Sequence, residues 1–318
     1  MIRYSALLLT LGLSVGTSNA PRKVAANEQL MGRWDIAIDT PQGRQPSWLE
    51  IQIPGSHSSG DTYAGRFVGI VGSARPIERV TLSGDSLRFS IPKQWESGDG
   101  SLSVAARLDG NDKLVGHITF PDGSGADFTA VRAPVLRRTG VPSWGKPIAL
   151  IAKTGLSGWH TQRGGANQWE VSGGVLRSPR SGENLITDRT FTDFKLHVEF
   201  KYSKGSNSGV YLRGRHEVQV EDDAGLEPLD DRFAGVYGFI EPNAMVAKPA
   251  GEWNSYDITL VGRRVTIVAN GQRVVCDQVI PGPTGGALDS DEGKPGPLML
   301  QGDHGPIEYR NIVITPAR

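Results

Sequence analysis

The chain has 318 residues, enough for two ordinary domains with separate cores. Its 34 Lys and Arg balance its 34 Asp and Glu. The balance excludes a nucleic-acid binder driven by a basic face, and no acidic tail asks for a basic partner. The 41 Gly and 20 Pro fit many short strands joined by turns. Residues 1–20 have the form of an export signal. Arg3 precedes an apolar run from Leu7 to Leu13, and Ser18-Asn19-Ala20 is a small-x-small cleavage pattern, with a cut after Ala26 as the alternative. The expectation is a periplasmic or secreted protein. The apolar run is too short and glycine-broken to span a bilayer, and nothing else is apolar enough to cross one. Cys276 is the only cysteine, which rules out an intrachain disulfide and a Cys-based zinc site. It sits in a strand pattern and is expected to be buried.

Residues 28–134 alternate apolar and polar side chains in short segments. These are Trp34 to Ile38, Trp48 to Ile53, Tyr63 to Val71, Leu87 to Ile91, Ser103 to Leu108, Lys113 to Phe120 and Ala126 to Val131. Turn residues punctuate them every eight to twelve positions or so, the signature of antiparallel strands. A meander of this kind can close into a barrel and lose its edges. The opening Gly32-Arg33-Trp34 resembles the start of lipocalin-type barrels, and that likeness implies that Arg132, in the last strand, packs over Trp34. A barrel like this either holds a small ligand or is filled by its own side chains.

Residues 135–147 carry Arg137-Arg138, Pro142, Trp144 and Pro147 without periodicity, and are expected to tether two domains. Residues 148–318 return to strand patterns, among them Phe194 to Tyr202, Asn254 to Val261, Arg264 to Ala269 and Gln272 to Asp277. Phe194, Leu196, Val198 and Phe200 fall on one face of their strand, as in a half-buried sandwich strand. Asn270-Gly271 between two strands predicts a type I′ hairpin. The whole chain is thus expected to be all-β, a barrel followed by a sandwich.

The densest polar signal runs from Asn207 to Asp222. Val210, Leu212, Val218 and Val220 belong to the core, and cross-strand partners share a face. A loop of Gly214 to His216 pairs Arg213 with Glu217 and Tyr211 with Gln219, which gathers Tyr211, Arg213, Glu217 and Gln219 on one non-core face. Aromatic and planar hydrogen-bonding groups suit a sugar ring; the alternative is a solvated face with an ordinary ion pair. Two further clusters are Lys248 to Asn254, with Trp253, and Leu300 to Pro306, with Gln301, Asp303 and His304, followed by Arg310.

These stretches, N-S-G-V-Y-L-R-G-R-x-E-V-Q-V-x-D, K-P-A-G-E-W-N-x-Y-D-I and L-Q-G-D-H-G with R-N-I after it, resemble the 3-keto-disaccharide hydrolase family, as does Gly155 to Trp159. Glu221 departs from the family, which more often has an apolar residue there. The resemblance covers residues 148–318 and implies a concanavalin A-like jelly-roll sandwich. It also implies action on glycosides already oxidised to a ketone at C3, where the C2 proton is acidic and its removal expels the C1 substituent. On this reading Glu217 is the base, with His304 second. Arg213, Lys248 and Arg310 stabilise the enolate. Tyr211 and Trp253 stack on sugar, while Gln219, Asn254 and Gln301 bind hydroxyls. A divalent metal is a possible helper, with Asp303 and His304 as candidate ligands. No Gly-rich dinucleotide fingerprint follows a strand, so no nicotinamide is expected and a separate oxidoreductase has to supply the substrate. An amide lies between Glu217 and Glu221, which argues against an ordinary retaining glycosidase. The competing readings are a non-catalytic carbohydrate-binding sandwich, and an interaction protein whose barrel is the active module.

Overall fold

A computed structural model describes residues 26–52 and 63–318. The export signal expected over residues 1–20 lies outside them. After a short helix, α1 (Ala26–Leu30), come β1 (Gly32–Thr40), β2 (Gly43–Gln52), β3 (Tyr63–Val68), β4 (Arg75–Ser83), β5 (Ser86–Pro92), β6 (Ser101–Leu108), β7 (Lys113–Thr119) and β8 (Gly125–Arg132). Each strand pairs antiparallel with the next, and β1 pairs with β8 to close the barrel. Strict alternation supports this closure. In β5, Leu87, Phe89 and Ile91 point inward while their neighbours face out. The interior is filled by Leu30, Trp34, Ile36, Leu49, Phe67, Phe128 and their neighbours, so this barrel is a packed core rather than a ligand cup. Arg132 lies over the Trp34 ring at 3.8 Å and donates to the carbonyls of Gln29 and Met31, as the likeness to lipocalin barrels implies. Of the eight strands, β4 was not legible in the sequence: it opens on Arg75-Pro76 and pairs with β3 through a register shift.

The second domain holds β9 (Ile148–Ala149), β10 (Trp159–Thr161), β11 (Glu170–Ser172), β12 (Val175–Ser178), β13 (Leu185–Phe191), β14 (Phe194–Tyr202), β15 (Asn207–Leu212) and β16 (His216–Glu221). It continues with β17 (Asn254–Val261), β18 (Arg264–Ala269), β19 (Gln272–Val279), β20 (Gly296–Leu300) and β21 (Ile307–Pro316). Two antiparallel sheets form a sandwich. One has five strands in the order β10-β13-β20-β15-β16; the other has eight, with β11-β12-β21-β14-β17-β18-β19 in sequence and β9 beside β21. Phe194, Leu196, Val198, Phe200 and Tyr202 of β14 meet Val210, Leu212, Val218 and Val220 of the facing sheet in one apolar core. Asn270 and Gly271 both have positive φ, 49° and 82°, as the I′ turn between β18 and β19 requires.

Cys276 is exposed, contrary to expectation. The β18–β19 register shifts between Val265 and Ile267, and Asp277 takes φ 46°. This bulge breaks the alternation and turns the thiol outward.

The barrel leans on the sandwich through β2. Alternation fails there because Pro46 to Ile51 are buried without a break. Leu49 and Ile51 fill the barrel, while Trp48 points the other way, fully buried, and packs edge-on against Phe239 at 5.2 Å. Gly282 makes that seat possible: a Cβ there would lie 2.3 Å from the Trp48 indole nitrogen. Beside it a charged lock crosses the interface. Arg263 bonds Glu292 at 2.6 Å and the carbonyl of Pro134, the last residue of the first domain, at 3.2 Å, and both side chains are buried. Asp35 of β1 reaches the same cluster. Burial, then the nearby Glu292 charge, pushes its carboxyl up to about 9, so it is held protonated.

Candidate active site

The β15–β16 hairpin decides which side chains meet. Its register pairs Val210 with Val218, Tyr211 with Glu217, and Leu212 with His216. The loop is therefore Arg213 to Arg215, one residue earlier than the sequence-based pairing. Arg213 and Gly214 adopt φ 55° and 66°, left-handed geometry that closes the turn sooner. The valines still face the core, so the polar face survives with altered membership: Asn207, Gly209, Tyr211, Glu217, Gln219 and Glu221. Arg213 is not on it. The pairing of Arg213 with Glu217 is corrected by this register. The Arg213 guanidinium is buried in the turn, where it bonds the Gly262 carbonyl at 2.8 Å and approaches His216 Nε2 at 3.3 Å.

That face is the floor of a cavity of about 680 Å³ whose walls come from both domains. Along the hairpin, Glu221, Gln219 and Glu217 succeed one another on β16. Asn207 stands across from Glu221, while Gln162, Arg163, Asn184, Gln301, Asp303 and His304 come in on sandwich loops, with the Asp303–His304 pair close enough to act on the Glu217 charge. At the Glu217 end the barrel closes the cavity with Ile70, Val71, Gly72 and Trp95, near Tyr237, Gly285 and Gly286.

Glu217 lies deepest and is 3% exposed. It lies 2.9 Å from Tyr211 Oη, whose single proton it shares with the competing Gly285 carbonyl at 3.0 Å. Gly209 gives the carboxyl its room, since a Cβ there would come within 2.1 Å of Glu217 Oε1. Burial pushes the Glu217 carboxyl up to about 8, against the opposing pull of the Tyr211 hydrogen bond and the nearby His304. His304 Nδ1 meets Asp303 Oδ1 at 2.6 Å, and this contact raises the imidazole above its usual range. Burial likewise raises Glu221, whose Oε2 accepts from Gln219 Nε2 at 2.9 Å. Gln301 Oε1 is buried without a partner among the described residues, an open acceptor at the cavity wall.

The structure therefore brings Glu217, Gln219, Gln301, Asp303 and His304 together, with Tyr211 behind them. It places the other residues singled out in the sequence elsewhere. Arg310 bonds Glu199 at 2.6 Å and covers the Trp253 ring at 3.9 Å. Both lie on the outward face of the eight-stranded sheet, with the sandwich core between them and the cavity. Lys248 donates to the Trp253 carbonyl, and Asn254 accepts from the Lys248 amide and from Asn270 Nδ2. This K-P-A-G-E-W-N stretch braces a loop. Among the described residues no third His, Cys, Asp or Glu joins Asp303 and His304 in a metal-holding group, and that pair alone is a poor divalent site. Residues missed in the sequence are Arg163, Asn184 and Tyr237 on loops, and Trp95 on the barrel. The one available signal for Trp95 was a large aromatic in the Gly-rich stretch between two strands.

A buried carboxyl at the base of a polar cleft, ringed by amides, carboxylates and a His–Asp pair on a β-sandwich, defines a carbohydrate-active protein. Residues 146–315 match the 3-keto-alpha-glucoside-1,2-lyase-like domain. The chain belongs to that family. It is similar to a 3-keto-disaccharide hydrolase of Bacteroides thetaiotaomicron, 27% identical over 137 residues, which make up 35% of this chain and 47% of that protein. The chain thus spans about half the length of the curated relative it matches. Two candidate glycosyl hydrolases of Parabacteroides distasonis are similar in structure. One is 28% identical with a TM-score of 0.46, over 56% of this chain and 92% of that one. The other is 26% identical with a TM-score of 0.43, over 54% and 98%.

Proposed function

We propose that the chain cleaves glycosides whose sugar ring carries a ketone at C3, with Glu217 as the base. The observation that carries this reading is the place of Glu217: a buried carboxyl of raised pKa at the floor of a cavity of sugar size. A carboxylate desolvated in this way is a stronger base than one in water, as removal of a carbon-bound proton requires. Glu217 takes the C2 proton, and the electron pair moves onto the C3 oxygen as an enolate. His304, whose contact with Asp303 favours the charged imidazole, and Arg163 supply charge on that side. The enolate then collapses: the C3 ketone reforms, a C1–C2 double bond forms, and the C1–oxygen bond breaks. The proton on Glu217 passes to the departing oxygen. Water added across the double bond gives net hydrolysis; release before addition gives a lyase outcome. Asn207, Gln219, Glu221 and Gln301 bind ring hydroxyls, with Gln301 Oε1 a free acceptor for one of them.

The substrate comes from a separate sugar oxidoreductase, and the apolar leader supports export to the periplasm or beyond. The test is deuterium at C2. In heavy water the protein exchanges the C2 hydrogen of a 3-keto-glucoside, and Glu217→Gln does not. Cleavage with C2 hydrogen fully retained in every product would overturn the reading in favour of direct displacement at C1.

A further inference from the structure

The barrel wall of the cavity has no counterpart in the family match, which begins at residue 146. We infer that Trp95, Val71 and Ile70 of the barrel form the subsite for the leaving group, and that this subsite takes an apolar, planar alcohol rather than a second sugar. The inference deepens the proposed function and rests on its assignment of Glu217 to the C2 proton.

Direction along the hairpin carries the first half of the argument. In the substrate, C2 lies between C3 and C1. Glu217 addresses C2, and the groups that suit the C3 oxygen, His304 and Arg163, come from sandwich loops opposite the barrel wall: His304 acts on Glu217 itself, and Gly305 of its loop abuts Ser206 just before β15, away from the hairpin loop. The C1 substituent then points the other way along β16, past Glu217 toward the hairpin loop. At that end the barrel closes in. Gly286 donates to the Ile70 carbonyl at 3.0 Å, and Gly285 and Gly72 touch so closely that a Cβ on Gly285 would come within 2.2 Å of the Gly72 oxygen.

Chemistry carries the second half. The sandwich end offers amides and carboxylates in number, as sugar hydroxyls demand. The barrel end offers an indole that is 70% exposed, a valine that is 43% exposed, and Ile70 beside them. Among the described residues, Gln45 is the one polar side chain this wall contributes. Two bulky apolar side chains left open to water beside a cavity mark a surface built to be covered, and an aromatic alcohol covers it without stranding hydroxyls.

The experiment compares 3-keto-glucosides of methanol and benzyl alcohol, leaving groups of similar acidity, and of glucose, with the wild type and Trp95→Ala. The wild type is expected to prefer benzyl over methyl in kcat/KM by at least about tenfold, and Trp95→Ala to lose most of that preference. Calorimetric binding of the same compounds to Glu217→Gln, which needs no turnover, is expected to follow the same order. A preference for the glucosyl compound that Trp95→Ala abolishes would overturn the inference in favour of a sugar subsite. Equal binding of benzyl and methyl compounds would overturn it outright. Turnover of none of the three by the wild type, with the binding order intact, would strike the proposed function and leave the subsite standing.

Discussion

Tyr211 and Glu217 are direct partners across the β15–β16 register, and the phenol donates a 2.9 Å hydrogen bond to the buried carboxyl. The bond favours the charged form, so it works against the burial that lifts Glu217 to about 8. Tyr211→Phe removes it and raises the Glu217 pKa further. If Glu217 acts as a base, the rising limb of the kcat/KM–pH profile moves to higher pH in this variant. A limb that stays in place or moves down contradicts the assignment.

The same carboxyl makes stability depend on pH. Its folded value of about 8 exceeds the ordinary 4.5, so the folded state binds this proton more tightly than the unfolded one. Its contribution is complete below the unfolded value and is lost as pH rises through the folded value. Glu217→Gln is therefore increasingly stabilised relative to the wild type on going from about pH 5 to about pH 9, by roughly 2 °C or more in Tm. Asp35, raised to about 9, loses stability in the same direction but is common to both proteins and cancels in the difference. Thermal melts across that range check it; a Tm difference independent of pH counts against a raised Glu217.

Gly209 sets where the carboxyl can rest, because a Cβ would fall 2.1 Å from Glu217 Oε1. Gly209→Ala forces the carboxyl aside by a distance of the order that costs about a hundredfold in rate. The expected result is a fall in kcat near that size in a variant that still folds, as circular dichroism would report.

Arg263 and Glu292, through Pro134 and Asp35, tie the second domain to the first. Replacing Arg263 with Met leaves Glu292, which is 0% exposed, without its charge partner. Urea unfolding is expected to show a loss of about 3–5 kcal/mol. A loss under about 1 kcal/mol would mean that the pair contributes no more than an exposed one.

The all-β architecture was legible because alternation is a local property: β5 and β14 announce their faces residue by residue. Alternation failed where a second surface intruded. In β2, Trp48 and Leu49 are both buried because Trp48 faces the sandwich and Leu49 faces the barrel interior, and no period within a single strand encodes a neighbouring domain. The hairpin face was found with its register off by one loop position. Core valines fix which faces pair, but the left-handed φ at Arg213 is a turn preference that an arginine does not advertise. The motif residues Lys248, Trp253, Asn254 and Arg310 show the converse. A polar, aromatic stretch fits a sugar site and a braced loop equally well, and only the intervening core separates them. The barrel's share of the cavity was illegible because Trp95 and Glu217 meet only across the domain boundary.

The most direct test of the account is sugar release by the purified protein from the 3-keto and the unoxidised forms of one disaccharide, with and without chelator, beside Glu217→Gln. The account predicts cleavage of the 3-keto form alone, lost in the variant. Equal cleavage of both forms, or cleavage that survives Glu217→Gln, would contradict it; binding of both forms without cleavage would make the sandwich a carbohydrate-binding module.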